Sequence, residues 1–531
     1  MNIKSPRTKF ATLAAGAIAF AVIAGGATPA NAASGDAVNI PDPELKRCVL
    51  HMLNLGPDAV VTEGDMEGFV SMNPCVNFPI KDLTGLEHAP NLQSVTLWQA
   101  SGLTSLAPLT DSDKLEYVDI RLSDVSDITP LAGKPLMRHL DMEFANLTDI
   151  GTVSEMKNLE ALRVRGNQLT DISALSGLTK LKLLEISENQ IAEISAIAEL
   201  VNLETLMMSE NEVDDLSALS GLTKLNLLWA GQNEVSDASP LGELNSLTNL
   251  DLSGNPLTDL DPLSSLTTLE WLSLSGNGIA DIEALSSLKS LATVNLNNNK
   301  IVDISALAGL TALESVNIWG NQILDFTPLS GFITAGGTEL FGSEQTTAPF
   351  DVNTGVAVAL KPLATDGSVI EVHAVAADGS ELAAGTAIET ADGIVFTAPG
   401  SYKLVWKQSI PGATWEAEVL SGSAAVTVTG DSTDPGDGGG DGDGGTDPGD
   451  GGTDPGDGDG DGGTDPGDGD TTNPGTGGVT DPGTGGGTSV TGTGTLADTG
   501  SSTAPMLYTA GGALLVLGAG VTLLARKRKT A

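Results

Sequence analysis

From about residue 92 to residue 332 the apolar positions recur on a fixed schedule. Asn167, Asn189, Asn211, Asn233, Asn255, Asn277, Asn299 and Asn321 stand 22 residues apart. Two residues after each comes an apolar side chain, from Leu169 and Ile191 to Ile323, and two further on an acid, from Asp171 and Glu193 to Asp325. The unit is L-x-x-L-x-L-x-x-N-x-I-x-D-I-S-x-L-x-x-L-x-x, and units start near Leu92, Leu115 and Met137, then every 22 residues from Leu159 to Leu313. The L-x-L alternation predicts a short strand whose leucines point inward. One unit cannot bury its leucines alone, so the units must stack on a continuous core. Each Asn is expected to turn the chain and bond backbone groups that a tight corner leaves unpaired. The acid is expected to accept from free N–H groups at the start of a helical turn; a cation-binding stripe is the alternative. Ser123 and Ala145 replace Asn in early units, as terminal repeats often depart from pattern.

The unit resembles a leucine-rich repeat. That implies an α/β solenoid, a horseshoe with parallel strands lining its concave side. About eleven repeats fill residues 86–332. Before them, residues 33–85 place Leu45, Val49, Met52 and Leu53 at helical spacing. A solenoid's open end needs covering, so this segment is expected to be a helical N-terminal cap. After them, residues 333–429 lose the period. Alternating runs appear instead at 356–360, 368–373, 393–396, 402–406 and 424–428, parted by turns such as Asp366-Gly367 and Pro399-Gly400. These predict an all-β, immunoglobulin-like sandwich. Residues 430–495 are Gly, Asp, Pro and Thr with almost no apolar content, a disordered stalk. Their Asp-Gly runs resemble loose calcium loops but hold no bidentate Glu.

The ends set the expected compartment. Lys4, Arg7 and Lys9, an apolar run to about Gly25 and Ala30-Asn31-Ala32 form the pattern of a signal peptide over residues 1–32. Residues 504–525 are uncharged and long enough for a transmembrane helix, and the basic tail 526–531 follows. Just upstream, Leu496-Ala497-Asp498-Thr499-Gly500 resembles the Leu-Ala-x-Thr-Gly form of the sorting signal that sortases of high-GC Gram-positive bacteria read. The resemblance implies cleavage after Thr499 and transfer of that residue to an amine of the peptidoglycan precursor. It makes sortase and the wall precursor partners and the chain a wall-anchored protein. A plain single-span membrane protein is the alternative.

An exported helical cap, tandem 22-residue repeats, an adjoining immunoglobulin-like domain and a sorting tail together resemble the internalin family. That resemblance implies display outside the cell and binding of a protein ligand through the concave face, in the manner of an adhesin or receptor. It does not name the ligand, which is of host or bacterial origin.

Composition adds three points. The net charge is −44, which disfavours nucleic acid and anionic membranes as partners. Cys48 and Cys75 are the only cysteines, and an even count in an exported chain suggests one disulfide. His51, His88, His139 and His373 show no metal spacing, and no nucleophile, base and orienter can be read together. The chain is therefore expected to be no enzyme and to need no metal or cofactor.

Within L-x-x-L-x-L-x the third, fifth and seventh positions face out of the concave sheet. They place Leu183, Met207, Leu227, Trp229 and Trp271 in the middle, with Arg121, Arg163 and Arg165 to one side. Exposed contiguous apolar surface marks interaction sites, and Trp and Arg are enriched at binding hot spots. These eight residues are the candidate ligand site, an apolar centre with a basic edge. The second reading is a carbohydrate-binding or structural cell-wall protein, in the first case with Trp98, Trp229, Trp271 and Trp319 stacking on sugar rings.

Overall fold

A computed structural model describes residues 35–430 except 74, 76, 77, 338 and 411–418. The signal peptide, stalk, sorting motif, transmembrane segment and tail expected from the sequence lie outside the described residues. No helix among the described residues is long and apolar enough to cross a membrane.

The described chain opens with helices α1 (Pro43–Met52) and α2 (Glu63–Met66). Asp42 caps α1, accepting from the Glu44 and Leu45 amides at 2.8 and 3.0 Å. Its second oxygen takes the Lys81 amide at 2.8 Å, so one buried carboxylate ties the helix start to the approach to the repeats. Cys48 of α1 is disulfide-bonded to Cys75, with Cα atoms 5.8 Å apart. Leu45, Cys48 and Val49 are fully buried and join the core that runs into the first repeat.

Eleven strands then pair in parallel, each with the next. They are β1 (Ser94–Trp98), β2 (Tyr117–Arg121), β3 (His139–Asp141), β4 (Ala161–Arg163), β5 (Leu183–Glu185) and β6 (Thr205–Met207), then β7 (Leu227–Trp229), β8 (Asn249–Asp251), β9 (Trp271–Ser273), β10 (Thr293–Asn295) and β11 (Ser315–Asn317). From β2 onward the register is 22 residues, as in Leu206↔Leu228 and Leu228↔Leu250. The middle residue of each three-residue strand points inward and is buried, as are Val95 and Leu97 of β1 and Val118 and Ile120 of β2. Each return passes through a short 3-10 helix, for instance Ser173–Leu175 and Ser217–Leu219.

The polar ladders explain the register. The Asn189 amide donates to the Ile186 carbonyl of its own repeat at 2.9 Å and to the Val164 carbonyl of the previous one at 3.1 Å. Its oxygen accepts from the Leu169 amide at 3.0 Å. Asn211 and Asn233 repeat the arrangement one turn on. The acids sit outside, and their role is the capping one: Asp171 accepts from the Ser173 amide at 2.7 Å, Asp215 from Ser217 at 2.7 Å and Asp303 from Ser305 at 2.8 Å. Those backbone bonds hold the Asp171 and Asp303 carboxyls below their ordinary value.

The parallel ladder does not stop at residue 332. After a short helix α3 (Ser330–Thr334), strand β12 (Glu339–Thr346) pairs in parallel with β11. Gln345 takes over the buried Asn position: its amide donates to the Ile318 carbonyl at 2.8 Å and its oxygen accepts from the Ile323 amide at 3.0 Å. The step here is 24 residues, Asn317 to Phe341, and Gln stands for Asn. Both changes hid this last rung from a search for Asn at a spacing of 22.

β12 also pairs with β19 (Val419–Thr429), which pairs with β13 (Phe350–Asn353) and, antiparallel, with β18 (Gly400–Ser409). β15 (Val372–Ala376) completes that sheet. A second sheet holds β14 (Ala357–Val358), β17 (Gly393–Phe396) and β16 (Ala387–Thr390). The later region is thus β throughout, as its alternation suggested, and continuous with the repeat sheet through one shared strand.

Candidate functional site

The outward positions of β1 to β11 line one face, and its two halves differ. In the first half, charged side chains lie in adjacent rows. Arg121 donates to both oxygens of Asp119 at 2.8 and 2.9 Å and lies 2.8 Å from Asp141 and 4.0 Å from Glu143. Arg163 is 3.7 Å from Asp141. Arg165 is bound to Glu188, its Nε 2.9 Å from that carboxylate. Trp98 donates to Asp119 at 3.1 Å, and the Tyr117 and His139 rings stack with centroids 4.3 Å apart.

Burial perturbs this network. Asp141 and Asp119 have almost no exposed surface. Burial, helped by Glu143, pushes the Asp141 carboxyl up to about 7. Burial also raises Glu185 to about 7, whereas burial and then the Arg163 charge lower His139 to about 3. The expected basic edge is therefore not free positive charge. Each of its three guanidiniums lies within ion-pair distance of a carboxylate of this chain, and five carboxyls (Asp119, Asp141, Glu143, Glu185, Glu188) stand among three arginines.

The expected apolar centre is also less open than the alternation implied. Leu227 is 8% exposed, and Leu183, Met207, Trp229 and Trp271 are half-buried. Met207 and Trp229 are register partners. Thr205 separates Leu183 from Leu227, and Asn249 separates Leu227 from Trp271. Side chains on neighbouring strands stand under about 5 Å apart and cover one another. The Trp229 indole nitrogen is shielded and makes no hydrogen bond within the described residues.

Sequence reasoning passed over two open residues, Leu122 and Phe144, and weighed a third, Trp98, only as a ring for glycan stacking. Trp98, Leu122 and Phe144 are 45%, 47% and 39% exposed. Leu122 and Phe144 directly follow the seventh position, and both have φ of 52°. The same place is occupied by Gly166, Gly254, Gly276 and Gly320 or by Gln99, Glu188, Glu210, Gln232 and Asn298, all with positive φ. The recurrence of glycine and polar residues there was visible, and the two bulky exceptions were the missed signal.

In the second half the outward rows are mostly uncharged: Ser253, Ser275, Asn295, Asn297, Asn317 and Trp319, with Asp251 the exception. Burial raises its carboxyl. Among the described residues no group of three or more His, Cys, Asp or Glu could hold a metal ion.

Family models for leucine-rich repeats match residues 157–200, 246–266, 267–309 and 289–331. The chain carries leucine-rich repeats. The repeat chain is similar to an internalin, InlF of Listeria monocytogenes, at 28% identity, covering 57% of this chain and 89% of that one with a TM-score of 0.53. Internalin C2 of the same bacterium matches at 26% identity over 46% of this chain and all of that one (100%), TM-score 0.37. The functional domain of InlJ, also from Listeria monocytogenes, matches at 19% over 75% of this chain and 100% of that one, TM-score 0.46. No curated protein matches the sequence significantly. The repeats thus have an internalin, InlF, as a structural neighbour.

Proposed function

We propose that the chain is an exported protein, held covalently in the cell wall, whose repeats bind a protein ligand through the concave face. One observation carries the binding reading. Four of the six tryptophans (Trp98, Trp229, Trp271, Trp319) and Arg121, Arg163 and Arg165 share the outward face of one rigid sheet. Trp and Arg give large contact energies per side chain, and a stacked solenoid holds them in fixed rows. In this reading α1, α2 and the disulfide cap the N-terminal end, and the later β region is an immunoglobulin-like domain closing the other. Residues 1–32 direct export, residues 430–495 form the stalk, and Leu496 to Gly500 is cut after Thr499 by a sortase before transfer to peptidoglycan.

Glycan binding is the second reading. The uncharged Asn and Ser rows around Trp271 and Trp319 favour it, because sugar hydroxyls pair with amides and hydroxyls while a ring stacks on an indole.

The test of ligand class is to incubate the purified chain on arrays of surface proteins and of glycans, beside a Trp229→Ala/Trp271→Ala variant. Protein hits support an adhesin or receptor; glycan hits move the function to carbohydrate binding. Anchoring is tested by Thr499→Ala, which should shift the protein from the wall fraction to membrane or medium. Unchanged wall attachment sinks the sortase reading.

A further inference from the structure

The two leucine and phenylalanine exceptions define a different place on the molecule from the middle of the sheet. Leu122 and Phe144 occupy a left-handed backbone position, which costs a side chain with a Cβ about 1 kcal/mol or more and suits glycine or asparagine. Neither is buried enough for core packing to account for it. A strained, exposed, bulky residue is a pointer to function. The two are neighbours: the Leu122 amide donates to the Glu143 carbonyl at 3.0 Å, one residue before Phe144.

Trp98, the register partner of the Arg121 that directly precedes Leu122, is a third exposed apolar side chain at this end of the strands. The Arg121 guanidinium lies 5.7 Å from its ring, and that of Arg165 lies 5.5 Å from the Phe144 ring. Behind the ridge stands the network in which carboxyls outnumber arginines, on a chain of net charge −44. An apolar ridge on a chain of this net acidity fits a basic partner and disfavours an acidic one.

We infer that the edge formed by Trp98, Leu122 and Phe144 is the docking site for a basic protein segment, which lays an apolar side chain on the ridge and directs a lysine or arginine toward Glu143. This deepens the reading that the repeats hold a protein ligand, and it rests on that reading. The strain at Leu122 and Phe144 is then retained for binding and not for stability.

The probe is a library of random peptides displayed on phage and panned against the purified chain. Selected peptides should pair an aromatic or aliphatic residue with Lys or Arg. Their binding should weaken about tenfold or more in Leu122→Asn/Phe144→Asn, weaken in added salt, and be unchanged in Val302→Ser, an exposed apolar position outside the strands. Asn is what this position carries at Asn298, where φ is 55°, so the variant should keep its circular-dichroism spectrum. Peptides indifferent to the Leu122/Phe144 change but lost with Trp229 and Trp271 overturn this site and leave protein binding standing. Selected peptides without basic residues overturn the partner chemistry. Failure of any peptide to exceed a blocked surface counts against the site and the protein-binding reading together.

Discussion

The first and last strands of the repeat sheet share a backbone and differ in what they show. Between β2 and β5 the outward face is Asp119, Arg121, Asp141, Glu143, Arg163, Arg165 and Glu185; between β9 and β11 it is Ser273, Ser275, Asn295, Asn297 and Asn317. Yet Asn167 in the first half and Asn299 in the second make the same bonds: each donates to a carbonyl of its own repeat and of the previous one at 2.8 to 3.0 Å, and each accepts from a backbone amide at 3.0 Å. Inward and ladder positions specify the fold in both halves. Alternate residues on the same strands are free to differ, and there the recognition chemistry resides.

The largest expected effect should be equal in the two halves. Asn167→Ala and Asn299→Ala each strand buried carbonyl and amide groups and should cost about 3 kcal/mol in denaturant unfolding. A much smaller cost in one half would break the equivalence of the ladder.

The second effect should divide the halves. The Asp141 and Glu185 carboxyls titrate near 7 in the fold against ordinary values of 3.8 and 4.5. Raised carboxyl values mean that the folded chain binds more protons than the unfolded chain between those limits. Stability should therefore fall as pH rises through that window and level off above it. Asp141→Asn with Glu185→Gln should flatten the fall, by on the order of 2 kcal/mol across the window. Thermal unfolding at a series of pH values measures this, and an unchanged slope would show that the network does not hold those protons.

A third effect is intermediate. Trp229 and Trp271 are half-buried, so replacing both by Ala should lower stability by about 1–2 kcal/mol, well short of a fully buried aromatic. The smallest is Asn295→Ala, whose outward side chain reaches the Ser273 hydroxyl at 3.4 Å; it should stay within about 0.5 kcal/mol of the parent.

The solenoid was legible because a period of 22 repeats the same physical demand many times over. The strand positions, the Asn turns and the capping acids all follow from residue type and spacing alone. The twelfth rung was not, since Gln345 does the work of Asn at a spacing of 24. The site was partly legible. Alternation identifies which side chains face outward, but not how far neighbours one strand away cover them, which is why Leu227 proved closed. Nor does it tell a free arginine from one held by a carboxylate two residues along, as Asp119 holds Arg121. Trp98, Leu122 and Phe144 were open because they sit at the edge, where fewer neighbours can cover them.

The central claim is that side chains outside the ladders serve recognition and not the fold, and its sharpest case is the strained pair. The direct measurement is the melting temperature of Leu122→Asn/Phe144→Asn beside the parent chain. The account predicts a value equal or higher, because left-handed strain is relieved and little burial is lost. A fall of several degrees would contradict it and make Leu122 and Phe144 part of what holds the repeats together.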